Sequence, residues 1–134
     1  PKGMVGLDTS VFNAEWQSKN PPYSIPGINT FSAYPMFYIK YVRDGSIFSL
    51  EEAVQKTSTL PAKVHNIEGR GILKEGGYAD IVLMDLSKLK VRSNEVETRR
   101  YPEGIDHVFV NGKQVVEKGK HTGATPGRVL KRTM

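Results

Sequence analysis

Residues 71–85 constrain the chain more than any other stretch. Gly76 and Gly77 free the backbone to enter positive φ, a single Ala79-Asp80 step follows, and Ile81, Val82, Leu83 and Met84 are apolar in succession. Side chains alternate between the two faces of a strand, so this run is apolar on both. Such a run predicts a strand covered on both sides, central in its sheet rather than at an edge. What precedes it reads as helix, and the best further strands follow it.

Tyr34, Phe37, Tyr38, Tyr41 and Val42 fall at helical spacing, Pro35 suits a first turn, and Gly45 can end the segment. An aromatic face of this kind packs into a core. Ser49-Leu50-Glu51-Glu52 has the form of a capping box, which predicts a helix from about Leu50 to Lys56. Ser58-Thr59-Leu60-Pro61 is expected to open a second short helix by the same logic, turning Val64 and Ile67 inward.

The chain opens on a short apolar run, Met4-Val5-Gly6-Leu7, that ends in Asp8-Thr9-Ser10. It resembles a strand delivering an acid at its C-terminal end, although an Asp in that place also serves to cap a turn. Residues 11–29 are rich in Asn, Pro, Ser and Gly and read as one long loop. Beyond Asp85, residues 87–100 form a charged connector with a short strand near Leu89-Lys90-Val91. Asn111-Gly112, set between the apolar runs 105–110 and 113–116, predicts a two-residue hairpin turn, because both residues of a type I′ turn need positive φ. This hairpin is expected to join the sheet of Ile81 to Met84. The tail after Gly119 should dock through Val129 and Leu130.

At 134 residues the chain is about one domain, large enough to bury a core. Its net charge of +5 raises the question of an acidic partner. The basic residues are scattered, apart from Arg99-Arg100 and the tail Arg128, Lys131 and Arg132. They lack the interleaved aromatics of single-strand binders, so neither nucleic acid nor membrane is an expected partner. Zero cysteines fits a reducing compartment, and the expected location is the cytoplasm. His65, His107 and His121 are too widely spaced for a short ligand pair, and there is no P-loop, dinucleotide fingerprint or G-x-S-x-G elbow. Read on its residues alone, the chain mixes helix and strand and carries one acid at a strand end.

Several motifs together resemble the C-terminal part of the N-acyl-D-amino-acid deacylases, or D-aminoacylases, of the metal-dependent amidohydrolase superfamily. They are Ser49 to Val54, Leu60-Pro61-Ala62, Gly71 to Asp85, Tyr101 to Ile105, Val110-Asn111-Gly112 and His121 to Leu130. The resemblance runs from about residue 30 onward. It implies an α/β fold: residues 1–66 are the end of a (β/α)8 barrel, with Met4 to Leu7 its last strand, and residues 67–134 the C-terminal portion of a small composite β-sandwich. It implies a divalent metal, usually zinc, and places Asp8 as the catalytic acid and a metal ligand whose companions lie outside this chain. Asp8 would take a proton from the attacking water and return it to the departing nitrogen. This agrees with the rule that barrel enzymes carry reacting groups at the C-terminal ends of strands. Asp80 is expected to tie down the turn before the strand.

The chain departs from the family at two places. Leu7-Asp8-Thr9 stands where members have Ser-Asp-Gly, and Gly27-Ile28-Asn29 where they have His-Pro-Arg. The expected partners are a small N-acyl amino acid or related amide and the complementary N-terminal segment of the same enzyme, with self-association when that segment is missing. A barrel needs about 250 residues, and the chain begins at Pro1, which points to a segment of something longer that is inactive alone. A dihydroorotase-like cyclic amide hydrolase and a noncatalytic β-module used for assembly are the alternatives.

Overall fold

The computed structural model describes residues 3–7 and 27–131. Helix α1 spans Asn29–Tyr38 and continues as π-helical turns over Ile39–Asp44, where Gly45 ends it. It begins earlier than the sequence suggests, so Pro35 sits inside the helix and not in its first turn. Proline there removes one main-chain donor, and the chain carries on because its faces are packed. Tyr38 and Val42 are buried, and Phe37 stacks on Phe48 with ring centroids 6.0 Å apart and lies 5.5 Å from Tyr41. Tyr34, the first member of the expected aromatic face, is exposed.

The capping box forms as predicted. Glu52 N–H donates to Ser49 Oγ, and Ser49 N–H to Glu52 Oε2 at 2.9 Å. Helix α2, Leu50–Val54, does not stop and restart at Ser58, however. It widens into π-helical turns over Gln55–Thr59 and runs straight into α3, Leu60–Val64. Thr59 keeps helical dihedrals, and its hydroxyl reaches outward to the Gly71 carbonyl at 2.7 Å instead of capping. The wide register ends at Pro61. Leu60 N–H donates five residues back, to Gln55. The next bond of that register would run from residue 61 to Lys56, and proline has no N–H to give.

Helix α3 closes with Asn66 at φ 51° and Ile67 N–H on the Ala62 carbonyl, the six-to-one bond of a Schellman cap. Val64 consequently points to solvent, half exposed, and not inward. Gly71, at φ 74°, passes so close to this helix that a Cβ would meet Ser58 O and Ala62 Cβ at 2.7 Å. Only glycine fits both the dihedral and the approach.

Four antiparallel strands follow in the order β1-β2-β3-β4: Ile81–Met84, Ile105–Val110, Lys113–Glu117 and Lys120–His121. Ile81 pairs with Phe109 and Val110 with Lys113, so the predicted hairpin exists and joins the predicted sheet. Asn111 at φ 49° and Gly112 at φ 77° give its turn the type I′ form. Lys118-Gly119 repeats the same pair of positive dihedrals and adds β4, a strand the sequence reading lacks. The connector makes a single bridge, Lys90 to Glu103.

Strand β1 corrects the central-strand expectation. Among the described residues it lies at the edge of the sheet with β2 as its one neighbour, and Val82 is 57% exposed and Leu83 49%. A doubly apolar run needs cover on both faces; Val82 and Leu83 are neighbours and so lie on opposite faces, and among the described residues each face is only partly covered. The expected strand at residues 4–7 is also missing, for the same reason: no strand among the described residues pairs with it. Helices precede an antiparallel meander, with no parallel pair among the described residues. Val129 is 92% exposed and Leu130 47%, so the expected docking through this pair is not seen; the tail is instead tied by Asn111 Nδ2 to Pro126 O at 2.7 Å.

The core joins helices and sheet. Tyr38, Val42 and Ala53 enclose Leu89, the most buried residue of the connector, and Met84, Leu86 and Ile105 pack against them. Arg43 Nη1 fastens the joint by donating to Leu89 O at 2.7 Å.

Candidate functional site

Asp8, the expected catalytic acid and metal ligand, lies outside the described residues. The residues just before it are held in place. Val5 N–H donates to the Lys56 carbonyl at 3.0 Å, and Lys56 Nζ donates back to the Gly3 carbonyl at 3.0 Å. The acceptor is the carbonyl that Pro61 cannot serve.

A second constellation surrounds the hairpin turn. Asp80 Oδ1 accepts Asn111 N–H at 2.8 Å, and Asp80 Oδ2 pairs with Arg70 Nη1. Arg70 Nη2 donates to Asn111 Oδ1, Asn111 Nδ2 to Pro126 O at 2.7 Å, and Gly112 N–H to Ala79 O at 3.0 Å. The Arg70 guanidinium lies 4.1 Å from the Tyr78 ring centroid, a cation–π contact. Burial raises the Asp80 carboxyl, but the Asn111 N–H and the Arg70 guanidinium outweigh it and hold the group below the ordinary carboxylate range. Both Asp80 oxygens and both side-chain amide atoms of Asn111 are engaged by neighbours. Asp80 does tie down a turn, but it is that of the hairpin 31 residues on and not the one before the strand. Arg70 and Asn111 carry no local sign of this pairing, because it spans 10 and 41 residues.

Beside this network an open cleft of about 660 Å³ is lined by Ile67, Glu68, Gly69, Arg70, Lys74, Tyr78, Leu130 and Lys131. Arg70 is already committed to Asp80, and Glu68 is exposed. Asp85 is drawn down to about 2 by the Ser87 hydroxyl and the Lys88 ammonium, and that turn is exposed.

The described residues do not fit a metal. No three His, Cys, Asp or Glu side chains among them come together. Of the histidines, His107 Nδ1 is 2.8 Å from Gln114 Nε2, and His121 Nδ1 accepts Gly123 N–H at 3.0 Å. No helix among them is long and apolar enough to cross a membrane.

Comparison with known proteins gives the chain relatives. The model of a family described as amidohydrolase family matches residues 18–116. Over 93 residues, 69% of the chain and 19% of the relative, it is 37% identical to N-acyl-D-glutamate deacylase of Alcaligenes xylosoxydans xylosoxydans. D-aminoacylase of the same organism is 34% identical over 81% of the chain and 22% of its own length. A dihydroorotase of Lactobacillus gasseri is 31% identical over 71% and 21%. The chain thus spans about a fifth of the length of these curated relatives. Among solved structures, a crystal structure of D-aminoacylase matches with TM-score 0.76 and 34% identity over 80% of the chain and 23% of that structure. N-acyl-D-glutamate deacylase from Bordetella bronchiseptica, complexed with zinc and a phosphonate mimic of the tetrahedral intermediate, matches with TM-score 0.65 and 32% identity over 67% and 19%.

Proposed function

The chain belongs to the amidohydrolase family, and from that premise we propose that it is the C-terminal part of an enzyme that hydrolyses the amide bond of N-acyl-D-amino acids. The observation that carries this reading is the likeness to D-aminoacylase in both sequence and structure. In the longer protein, residues 1–66 close the end of a (β/α)8 barrel and residues 67–134 form the C-terminal portion of a small composite β-sandwich. The bare edge of β1, with Val82 and Leu83 exposed, then meets the complementary N-terminal segment. Without that segment the chain self-associates and is inactive.

Asp8 is the proton shuttle in this reading. Hydrolysis needs a group that takes the proton of the attacking water and delivers it to the amide nitrogen as the C–N bond breaks, and a carboxylate at hydrogen-bond distance does both. The family match begins after Asp8. Its role therefore rests on the resemblance and on its place at the end of the apolar run. A divalent metal belongs to the chemistry of the relatives, and its ligands in this protein lie outside the described residues. The enzyme is placed in the cytoplasm.

The test is turnover of N-acyl-D-amino acids by the full-length protein. Asp8→Asn should lower kcat at least about a hundredfold, the scale of a lost acid-base group, with folding unchanged; near-normal turnover would mean that Asp8 only caps a turn. Dihydroorotase relatives favour one further assay. A protein that opens dihydroorotate and leaves N-acyl-D-amino acids untouched is a cyclic amide hydrolase.

A further inference from the structure

We propose that Asn111 is a site of non-enzymatic deamidation, held off by the closed hairpin turn and, once it reacts, releasing the C-terminal tail. The chain has a single Asn-Gly pair, and it forms this turn. Loss of the side-chain amide runs through the main chain. The Gly112 nitrogen gives up its proton and attacks Asn111 Cγ, the new C–N bond closes a five-membered imide, and Nδ2 leaves with that proton as ammonia. Water then opens the imide at either carbonyl, leaving an aspartate or its β-linked isomer, so amide and water become carboxylic acid and ammonia. Glycine permits the attack because no Cβ shields its nitrogen. Asn66 has nearly the same dihedral, φ 51°, but is followed by Ile67, whose branched Cβ hinders the same step.

Three features of the folded turn oppose the reaction. Gly112 N–H donates to Ala79 O at 3.0 Å, which keeps the proton on the attacking nitrogen. Arg70 Nη2 holds Oδ1, and Pro126 O holds Nδ2 at 2.7 Å, so the side-chain amide is fixed at both its ends. The first central residue of a type I′ turn has ψ of about +30°, which sets the Gly112 nitrogen on the far side of the Cα–C bond from Cβ, whereas the imide ring needs the two eclipsed. The reaction therefore waits on opening of the turn, a local event that leaves the rest of the sheet folded. Its product cannot restore the turn. A carboxylate has no N–H for Pro126 O, so two acceptors face each other where a donor and an acceptor now meet. Leu130 and Lys131, which wall the cleft beside Tyr78, lie beyond that lost link. The β-linked isomer also adds a methylene to the main chain, which a two-residue turn closing Val110 onto Lys113 cannot absorb.

The test is incubation of the full-length protein at mildly alkaline pH, then digestion and mass spectrometry of the peptide that holds residue 111, with a synthetic peptide of residues 107–116 as the open reference. Asn111 is expected to react, at least about tenfold more slowly than in the free peptide, while Asn66 in the same digest stays intact. Asp80→Asn, which removes the carboxylate from Asn111 N–H, should speed deamidation and hydrogen exchange at the Gly112 amide by the same factor. A rate in the folded protein equal to that of the peptide overturns the protection. An Asn111 that stays intact in Asp80→Asn while the Gly112 amide exchanges faster overturns the site. Asn111→Asp mimics the product, and trypsin should cut it after Arg128 about fivefold faster than the parent, the scale of one lost hydrogen bond. An unchanged rate of cutting overturns release of the tail. Deamidated parent protein, separated from the intact form by its added negative charge, gives the same reading should the variant fail to fold. None of these readings uses turnover, so they are independent of the role assigned to Asp8.

Discussion

The helical half and the sheet half of this chain are closed by opposite means. Around the hairpin turn, Arg70, Asp80 and Asn111 bring side-chain polar groups from three separated segments into one network. In the helical half, the aromatic rings of Phe37, Tyr38, Tyr41 and Phe48 fill the space between helices, and the polar contacts to other segments are single bonds that end on main-chain carbonyls, from Arg43 to Leu89, Thr59 to Gly71 and Val5 to Lys56. The difference has a physical source. A meander of short strands ends in turns, whose exposed N–H and C=O groups need partners. A helix satisfies its own groups except where proline interrupts it, and there one carbonyl becomes available to a neighbour. Polar side chains secure the first, and a sequence defect recruits the second.

Leu89 is where the two halves meet, and its removal should break the comparison most severely. It is 2% exposed, between Val42 and Ala53 of the helices and Ile105 of the sheet. Leu89→Ala should cost about 3 kcal/mol, the usual scale for a buried leucine, measured as a lowered urea midpoint of the full-length protein. A variant as stable as the parent would mean that the halves are joined by the Arg43 hydrogen bond alone.

A smaller effect is expected inside the polar network. Asp80→Asn leaves Arg70, whose side chain is 10% exposed, without its carboxylate. The loss should be about 2 kcal/mol, below the figure for a fully buried pair because Asp80 is partly in water. The same protein should show faster exchange at the Asn111 amide and none of the effect at Val5. Loosening at both amides would show that the two halves form one cooperative unit.

The smallest effect is a titration. Asp85 falls from 3.8 to about 2 because the Ser87 hydroxyl and the Lys88 ammonium favour its charged form. A carboxyl whose folded value is depressed contributes stability above its unfolded value, and that contribution is lost as pH falls through the folded one. The window is therefore from about pH 4 down to about pH 2. Carboxyl chemical shifts should give Asp85 a midpoint near 2, and Ser87→Ala should raise it. An unchanged midpoint in Ser87→Ala would assign the shift to Lys88.

How much was legible depended on how far each signal reached along the chain. The capping box at Ser49, the hairpin at Asn111-Gly112 and the stop at Gly45 are local devices, each complete within four residues. Lys118-Gly119 makes the same turn with a residue that has no special preference for positive φ, which is why β4 went unseen. Pro61 carried a readable sign in another sense. A proline late in a helical pattern should have raised the question of which carbonyl it leaves to others.

By itself, the sequence determined that helices precede the sheet and that Asn111-Gly112 turns a hairpin, because these follow from dihedral preferences and side-chain periodicity acting over a few residues. Only the tertiary structure decided that Arg70 and Asn111 share Asp80, that Leu89 fills the joint, that β1 is an edge, and that Lys56 holds residues 3 and 5. Each of those depends on which distant segments come to occupy the same place, and pairwise contacts between them leave no period or motif in the chain.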